Sequence, residues 1–151
     1  MTVYPVVKKI SAEEVLPLRH RILKPHLMQE ECVLPEDKLS TTMHLGILYF
    51  EKLVSIATFM LQSHPDFSAG HPYRLRGMAT DEKYRDRGFG ALALQSGIIL
   101  LRQKNCDFIW FNARIKAIGF YSKLGFQSTG PAFDLPSSGL HKVMYKPLFP
   151  R

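Results

Sequence analysis

The spacing of apolar residues along the chain predicts an alternation of strands and helices. Runs rich in β-branched and aromatic residues predict strands at 3–10, 44–50, 54–62, 73–80, 108–112, from 126 onward and at 141–148. Helical spacing predicts helices from Ser11 onward, near Glu30, and over 88–104 and 115–124. Loops rich in Pro, Ser and Gly are expected at 63–72 and 130–140. This order of elements predicts a mixed α/β (α+β) sheet.

Three local signals support these boundaries. Ser11 and Glu14 have the spacing of a capping box, in which each side chain bonds the backbone of the other residue. Gly125 follows the last predicted helix in the position that closes helices. Gly77 lies inside a predicted strand, where a glycine often marks a bulge.

Composition limits the class of protein. With 151 residues, 46% hydrophobic and 22% charged, the chain has the size and balance of one globular domain, 1–151. No apolar run reaches the ~18 residues that a membrane-spanning helix needs, and the N-terminal segment does not resemble a signal peptide. The two cysteines, Cys32 and Cys106, form no CxxC pair and are expected to be buried, which favours the reducing cytoplasm. The six histidines show no HxxxH or HxH spacing, so we expect no metal site.

The net charge of +7 predicts that the chain attracts anions. The excess does not lie in one block, but a local cluster near one turn consists of Arg74, Arg76, Lys83, Arg85 and Arg87, partly offset by Asp81, Glu82 and Asp86. A nucleic-acid-binding domain would need, in addition, an exposed platform of aromatic and basic residues. Trp110 is instead interpreted as part of a strand core, which argues against nucleic acid as the partner.

A glycine-rich turn stands between a predicted strand and a long predicted helix. It consists of Arg85, Asp86, Arg87, Gly88, Phe89, Gly90 and Ala91. Exposed N–H groups at a helix start, with flanking arginines, suit a phosphate or pyrophosphate. A dinucleotide fingerprint is an alternative, because the glycines match G-x-G-x-x-A and Asp107 has the acidic position. However, the charged turn intervenes and too little chain follows for that fold. A helix entry without a ligand is the remaining alternative.

A second motif follows in residues 117–126, with the sequence A-I-G-F-Y-S-K-L-G-F. Together with the turn R-x-x-G-x-G-A and the strand-end Asn112, it resembles the GNAT family of N-acetyltransferases over residues 3–148. The resemblance implies an acyl-CoA N-acyltransferase-like fold with a mostly antiparallel sheet of about seven strands and helices on both faces. Two splayed strands would form a V-shaped cofactor slot.

The resemblance also implies acetyl-CoA as cosubstrate and assigns its contacts. The turn from Arg85 to Ala91 would hold the pyrophosphate through backbone N–H groups. The pantetheine arm would pair with Met78, Ala79 and Thr80 and contact Asn112. Phe120, Tyr121 and Lys123 would flank the thioester and the adenosine-phosphate end.

The chemistry then follows from what acetyl transfer requires. The Met78 N–H can polarise the thioester carbonyl as an oxyanion donor. Tyr121 matches the position of the family's general acid for the departing thiolate. The strand 73–80 contains no carboxylate, so the general base stays open between a water chain and the side chains of Glu30, Glu31, His44, His71, Glu82 and His141.

The acceptor is expected to be a small-molecule or peptide amine, and its identity stays open. A polyamine, an aminoglycoside, an amino acid, a peptide N-terminus and a lysine side chain are the alternatives. A non-catalytic acyl-CoA-binding sensor of the same fold is the second functional hypothesis. The exposed final strands of such folds often pair between subunits, which suggests a homodimer.

Overall fold

Seven strands and three α-helices make up the chain in a computed structural model, which describes residues 3–136 and 138–148. The strands are β1 (Val6–Ile10), β2 (Met43–Tyr49), β3 (Lys52–Leu61), β4 (Pro72–Thr80), β5 (Phe108–Arg114), β6 (Gln127–Leu135) and β7 (Gly139–Pro147). The helices are α1 (Leu16–Leu18), α2 (Phe89–Arg102) and α3 (Ile118–Lys123), joined by a π-helical turn at Arg19–Leu23 and 3-10 turns at Gln29–Cys32, Glu82–Tyr84 and Ile115–Ala117. The predicted order of elements is confirmed. Within the described residues no helix is long and apolar enough to cross a membrane.

The strands pair in the order β1-β2-β3-β4-β5-β7-β6. The β4–β5 pair is parallel, and the β1–β2, β2–β3, β5–β7 and β6–β7 pairs are antiparallel. The sheet is therefore mixed and mostly antiparallel, as the resemblance implied. Contacts group the residues into two compact units, Met1–Met60 with Leu75–Leu101, and Leu61–Arg74 with Arg102–Arg151. The single domain expected from the chain length remains a prediction.

The first unit is built around a close approach of α2 to the sheet. A Cβ atom added at Gly97 would lie 2.2 Å from the ring of Phe59, so only a glycine admits this packing. Leu94 and Leu101 on the same helix are fully buried. This confirms most of the apolar face that helical spacing predicted.

The segment after β1 differs from the single helix predicted from Ser11 onward. The capping box is present, with Ser11 N donating to Glu14 Oε1 at 2.9 Å and Glu14 N donating to Ser11 Oγ at 3.1 Å. The following residues form turns, then the short α1, then the π-helical turn Arg19–Leu23. Pro17 in the first turn of α1 cannot supply a backbone N–H. The wider π-helical turn places the side chain of Arg19 in the interior, where it is 3% exposed.

A buried ion pair explains this inward orientation. The Arg19 guanidinium donates to both carboxylate oxygens of Asp37, at 2.7 and 3.1 Å, and to Thr58 Oγ1 at 3.0 Å. Burial acts to raise the pKa of Asp37, but the hydrogen bonds from Arg19 and from the Leu34 N–H outweigh it and hold the pKa below its usual value. Asp37 is therefore ionised at neutral pH, and the pair fixes several segments of the first unit.

In the second unit, the predicted loop at 130–140 is wrong over much of its length. Strand β6 continues to Leu135, and β7 already begins at Gly139. The ladder between them shifts register between Thr129 and Phe133, where Gly130 has φ = +75°. Gly130 and Pro131 led to the prediction of a loop, because both residue types are common in loops. In the structure they interrupt the strand locally without ending it. The connection left between the strands includes Ser137, which lies outside the described residues, as do the first two residues of the N-terminal segment.

Candidate functional site

The residues predicted for the cofactor fall into both compact units. Met78, Ala79, Thr80, Arg85, Asp86, Arg87, Gly88, Phe89, Gly90 and Ala91 belong to the first unit. Asn112, Phe120, Tyr121 and Lys123 belong to the second.

In the first unit, Asp81 fixes the entrance to the glycine-rich turn. Its carboxylate accepts from Lys83 N at 3.0 Å and pairs with Arg21 at 2.9 Å and with Lys52 at 3.5 Å. The hydrogen bond from the Lys83 N–H lowers the pKa of Asp81. Burial acts in the opposite direction, and the positive charges of Lys52 and Arg21 add to the lowering. Asp81 is only 2% exposed, so this negative charge is buried. The chain leaves β4 in one defined direction as a result.

The turn then exposes its backbone at the start of α2. Asp86 and Gly88 both have positive φ, 62° and 80°, and the Leu92 N–H donates to Gly88 O at 2.9 Å as the helix begins. A Cβ atom added at Gly88 would meet nothing within 4 Å. Arg85 and Arg87 are exposed beside this opening. Free space, a helix start and two cations together fit a pyrophosphate.

The strand residues predicted to bind the pantetheine arm, Met78 to Thr80, directly follow Gly77, where the backbone departs from strand geometry as predicted. Gly77 has φ = +61°, and a Cβ atom there would lie 3.0 Å from Arg19 Nε. Beyond it, Ser55 Oγ lies 2.9 Å from Thr80 Oγ1 and donates to Ala79 O at 3.3 Å. Met78 is half-buried and Ala79 is buried. The end of β4 is thus tied to β3, and its backbone departs from regular strand geometry at Gly77.

In the second unit, Tyr121 packs against one face of β5. Its ring lies 4.4 Å from that of Phe111 and 5.1 Å from that of Phe120. Burial raises the pKa of Tyr121 to about 12. The phenol therefore stays protonated at neutral pH and can donate a hydrogen bond. Phe120 and Lys123 are exposed on the same helix, which Gly125 ends with φ = +93°, as predicted.

Asn112 lies on the opposite face of β5, because side chains alternate along a strand. It lines a cavity of about 450 Å³ that lies within the second unit. The other lining residues are His64, Asp66, Phe67, Arg74, Trp110, Thr129, Gly130, Pro131, Phe133 and Val143. Trp110 is 4% exposed, in agreement with the predicted strand core, yet its ring also forms a cavity wall.

This cavity was missed by sequence reasoning. Its residues come from the 63–72 loop and from four strands, so no motif joins them. One signal was available, since Arg74 interrupts the apolar run of β4 next to the buried Tyr73 and Leu75. The register Arg74 to Trp110, which stacks the two side chains, is set by strand pairing and is invisible in the sequence.

Asp107 has a structural contact that replaces its suggested role in dinucleotide binding. Its carboxylate accepts from Gly70 N at 2.8 Å and from His71 N at 2.9 Å. Burial acts to raise its pKa, but these two hydrogen bonds outweigh that effect and lower it. The carboxylate therefore holds the end of the 63–72 loop.

The six candidate bases have different surroundings. Both ring nitrogens of His44 are hydrogen-bonded, to Thr58 Oγ1 and to Asp37 O. Glu31 accepts from Met28 N, Glu82 pairs with Arg21 at 3.5 Å, and Glu30 and His71 are exposed.

His141 differs from the other five candidates. Its Nδ1 lies 2.8 Å from the carbonyl oxygen of Gly139, which can only accept, so in the neutral tautomer that fits this contact Nδ1 carries the proton and Nε2 has the lone pair. In the ladder between β5 and β7, His141 pairs with Arg114. Arg114 lies two residues after Asn112 in β5, so the side chains of all three residues are on the same face of the sheet. The ring of Phe133, a cavity residue, stacks on the His141 ring at 6.2 Å.

The chain matches known proteins over most of its length. A sequence profile of the Acetyltransferase (GNAT) family matches residues 13–126. The uncharacterized N-acetyltransferase YitI of Bacillus subtilis (strain 168) is 44% identical over 142 residues, which are 94% of this chain and 95% of YitI.

Solved structures share the fold at low identity. An acetyltransferase of the GNAT family from Staphylococcus aureus Mu50 has a TM-score of 0.73 at 19% identity, covering 97% of this chain and all of that one. An aminoglycoside 6'-N-acetyltransferase complexed with coenzyme A has a TM-score of 0.76 at 12% identity, covering 97% and 98% of the two chains.

Proposed function

The chain belongs to the acetyltransferase (GNAT) family, and on this premise we propose that it transfers the acetyl group of acetyl-CoA directly to a primary amine. Membership of this family makes the chain an N-acyltransferase. That the acyl group is acetyl and that the acceptor is a primary amine are our proposal. The observation that carries it is the open backbone over Gly88 at the start of α2, with Arg85 and Arg87 beside it.

In the first unit, we assign the pyrophosphate to the backbone N–H groups from Arg85 to Ala91. These N–H groups precede or begin a helix, where the first turn has no intrahelical partners for them. The irregular backbone at Gly77 would leave the backbone of Met78 to polarise the thioester carbonyl, and the backbone of Ala79 and Thr80 to pair with the pantetheine arm.

In the second unit, Asn112 would contact the cofactor arm and Phe120 and Lys123 the outer end of the cofactor. Acetyl-CoA supplies an acyl group activated as a thioester. The amine nitrogen forms a bond to the carbonyl carbon, the carbon–sulfur bond breaks, and the nitrogen loses a proton while the sulfur gains one.

We propose Tyr121 as the general acid for that sulfur. With its pKa at about 12, transfer of its proton to a thiolate of reference pKa ~8.5 is uphill by about 5 kcal/mol. Tyr121 therefore donates a hydrogen bond while charge develops on the sulfur, and its proton moves to the sulfur only as the carbon–sulfur bond breaks. The low-polarity surroundings of its ring strengthen that hydrogen bond.

We propose His141 as the proton acceptor for the amine. Its Nε2 lone pair and its position on the Asn112 face of the sheet distinguish it from His44, whose ring nitrogens are both engaged. The variant His141→Gln should lower kcat without changing acetyl-CoA affinity, and high pH should restore part of the rate because more amine arrives deprotonated. His71→Gln, on an exposed loop, is the matched control. Equal losses in both variants would remove His141 from the mechanism.

Calorimetric titration of acetyl-CoA, followed by an assay for free thiol with a panel of amines, tests the proposal. We expect saturable binding, a raised melting temperature and turnover that requires an amine. Binding without turnover for every amine would favour the acyl-CoA sensor. Absence of binding would leave only a shared fold. The buried free thiols of Cys32 and Cys106 agree with a proposed cytoplasmic location, and the homodimer remains a proposal as well.

A further inference from the structure

The cavity of the second unit has the dimensions of a small-molecule site. Its volume of about 450 Å³ falls in the range typical of ligand pockets, about 300–1,000 Å³. Three aromatic residues form its walls, Phe67, Trp110 and Phe133. Asn112, proposed above to contact the cofactor arm, belongs to the same lining, so an acceptor held in this cavity can present its amine next to Asn112.

The walls are fixed by contacts outside the cavity. The ring of Phe67 lies 4.8 Å from that of Phe108 and 4.9 Å from that of Tyr145. The Trp110 indole Nε1 donates to Gln62 O at 2.9 Å. The Asp107 carboxylate holds the end of the loop that carries Phe67. Because its walls are already held, the cavity needs little rearrangement to bind a ligand.

One positively charged side chain that is partly protected from solvent, Arg74, lines the cavity. The guanidinium carbon of Arg74 lies 4.8 Å from the centre of the Trp110 ring, and Arg74 is half-buried. The acidic residue of the lining, Asp66, has a side chain that is 81% exposed. Water and salt screen an exposed carboxylate much more than a stacked, half-buried guanidinium. Of these two charged side chains, Arg74 is therefore the less screened one.

From this we infer that the acceptor is a small primary amine with an apolar body and a carboxylate, which Arg74 binds while the body packs on Trp110 and Phe133. The inference rests on the proposed function, because it takes the cavity as the acceptor site of that reaction. It selects amino acids and related carboxylated amines from the open alternatives. Polyamines and aminoglycosides are disfavoured, since their several positive charges would approach Arg74.

The first test measures binding without turnover. Trp110 is the only tryptophan of the chain, so its fluorescence reports ligands in the cavity. We would titrate pairs that differ by a carboxylate, phenylalanine against 2-phenylethylamine and 4-aminobutyrate against propylamine, with spermidine as a polycation. The carboxylated members should bind about 10- to 100-fold more tightly, the range for hydrogen bonds to charged groups. Equal binding within each pair, or tighter binding of spermidine, would overturn the inference.

The second test compares kcat/KM for the same pairs in variants. Arg74→Gln should bring the preference for the carboxylate to within about twofold, and Arg74→Lys should keep part of it. Lys104→Gln removes one exposed charge of the same unit and should leave the preference unchanged. An unchanged preference in a folded Arg74→Gln would refute the role of Arg74. Acetyl-CoA binding, measured in parallel, separates this failure from a failure of the proposed function.

Discussion

The two compact units prepare their binding surfaces by different means. The first presents backbone at the glycine-rich turn, whose entrance is held by the buried carboxylate of Asp81, and the buried pair of Arg19 and Asp37 ties other segments of the same unit together. The second presents side chains, with Tyr121 on one face of β5 and Trp110 and Asn112 on the other. Backbone groups suit a ligand part common to many reactions, such as a pyrophosphate. Side chains suit the part that differs from one enzyme to the next.

The strongest way to break this comparison is to remove the internal support of the first unit. Asp37→Asn leaves Arg19 as an uncompensated buried charge and should lower the free energy of unfolding by about 3–5 kcal/mol. Asp66→Asn, which changes an exposed carboxylate of the second unit, should stay within about 0.5 kcal/mol of the wild type. Urea unfolding of both variants gives the measurement. Similar losses would show that the ion pair does not have this supporting role.

A large effect on rate is expected from a single atom of the second unit. Tyr121→Phe removes the phenol oxygen and should lower kcat about 100-fold, with acetyl-CoA affinity and melting temperature little changed. Because the pKa of Tyr121 is about 12, we expect no titration of this group in the pH–rate profile below pH ~11. Ser122→Ala, an exposed position on the same helix, is the control. A kcat near that of the wild type would exclude Tyr121 as the acid.

A smaller effect should separate backbone from side-chain binding. Gly88→Ala places a Cβ atom over the turn and strains a residue with φ = +80°. It should raise the KM for acetyl-CoA about tenfold and leave the order of preference among acceptors unchanged. Gly119→Ala, where a Cβ atom also meets nothing within 4 Å, tests the same change within α3. A changed acceptor preference in Gly88→Ala would contradict the division between the two units.

The smallest effect concerns pH and the entrance to the turn. The pKa of Asp81 is lower in the folded chain than in the unfolded one, so its contribution to stability is complete above the unfolded value, near ~3.9. That contribution is lost as pH falls through the folded value. The stability difference between wild type and Asp81→Asn should therefore shrink between pH 7 and pH 2 in urea unfolding. A difference independent of pH would show that Asp81 contributes by shape and not by charge.

The sequence was most informative where all the residues that form a structural feature are neighbours in one short segment. The capping box at Ser11, the stop at Gly125 and the turn at Arg85 to Ala91 each consist of neighbours in the chain, and each was found. The cavity and the pair of Arg19 with Asp37 join distant residues through strand register and packing. Nothing in the sequence around Arg19 indicates its buried partner, because Asp37 lies 18 residues further along the chain.

The π-helical turn at Arg19–Leu23 imposes a rule on the length of the chain. Arg19 points inward to Asp37, while Arg21 pairs with Asp81 at 2.9 Å. Removing one residue from the turn would rotate all that follows by about 100° and separate one of the two pairs. An insertion or deletion within the segment would therefore break a pair even when both arginines are kept. This part of the molecule is constrained in the number of its residues as well as in the identity of Arg19 and Arg21.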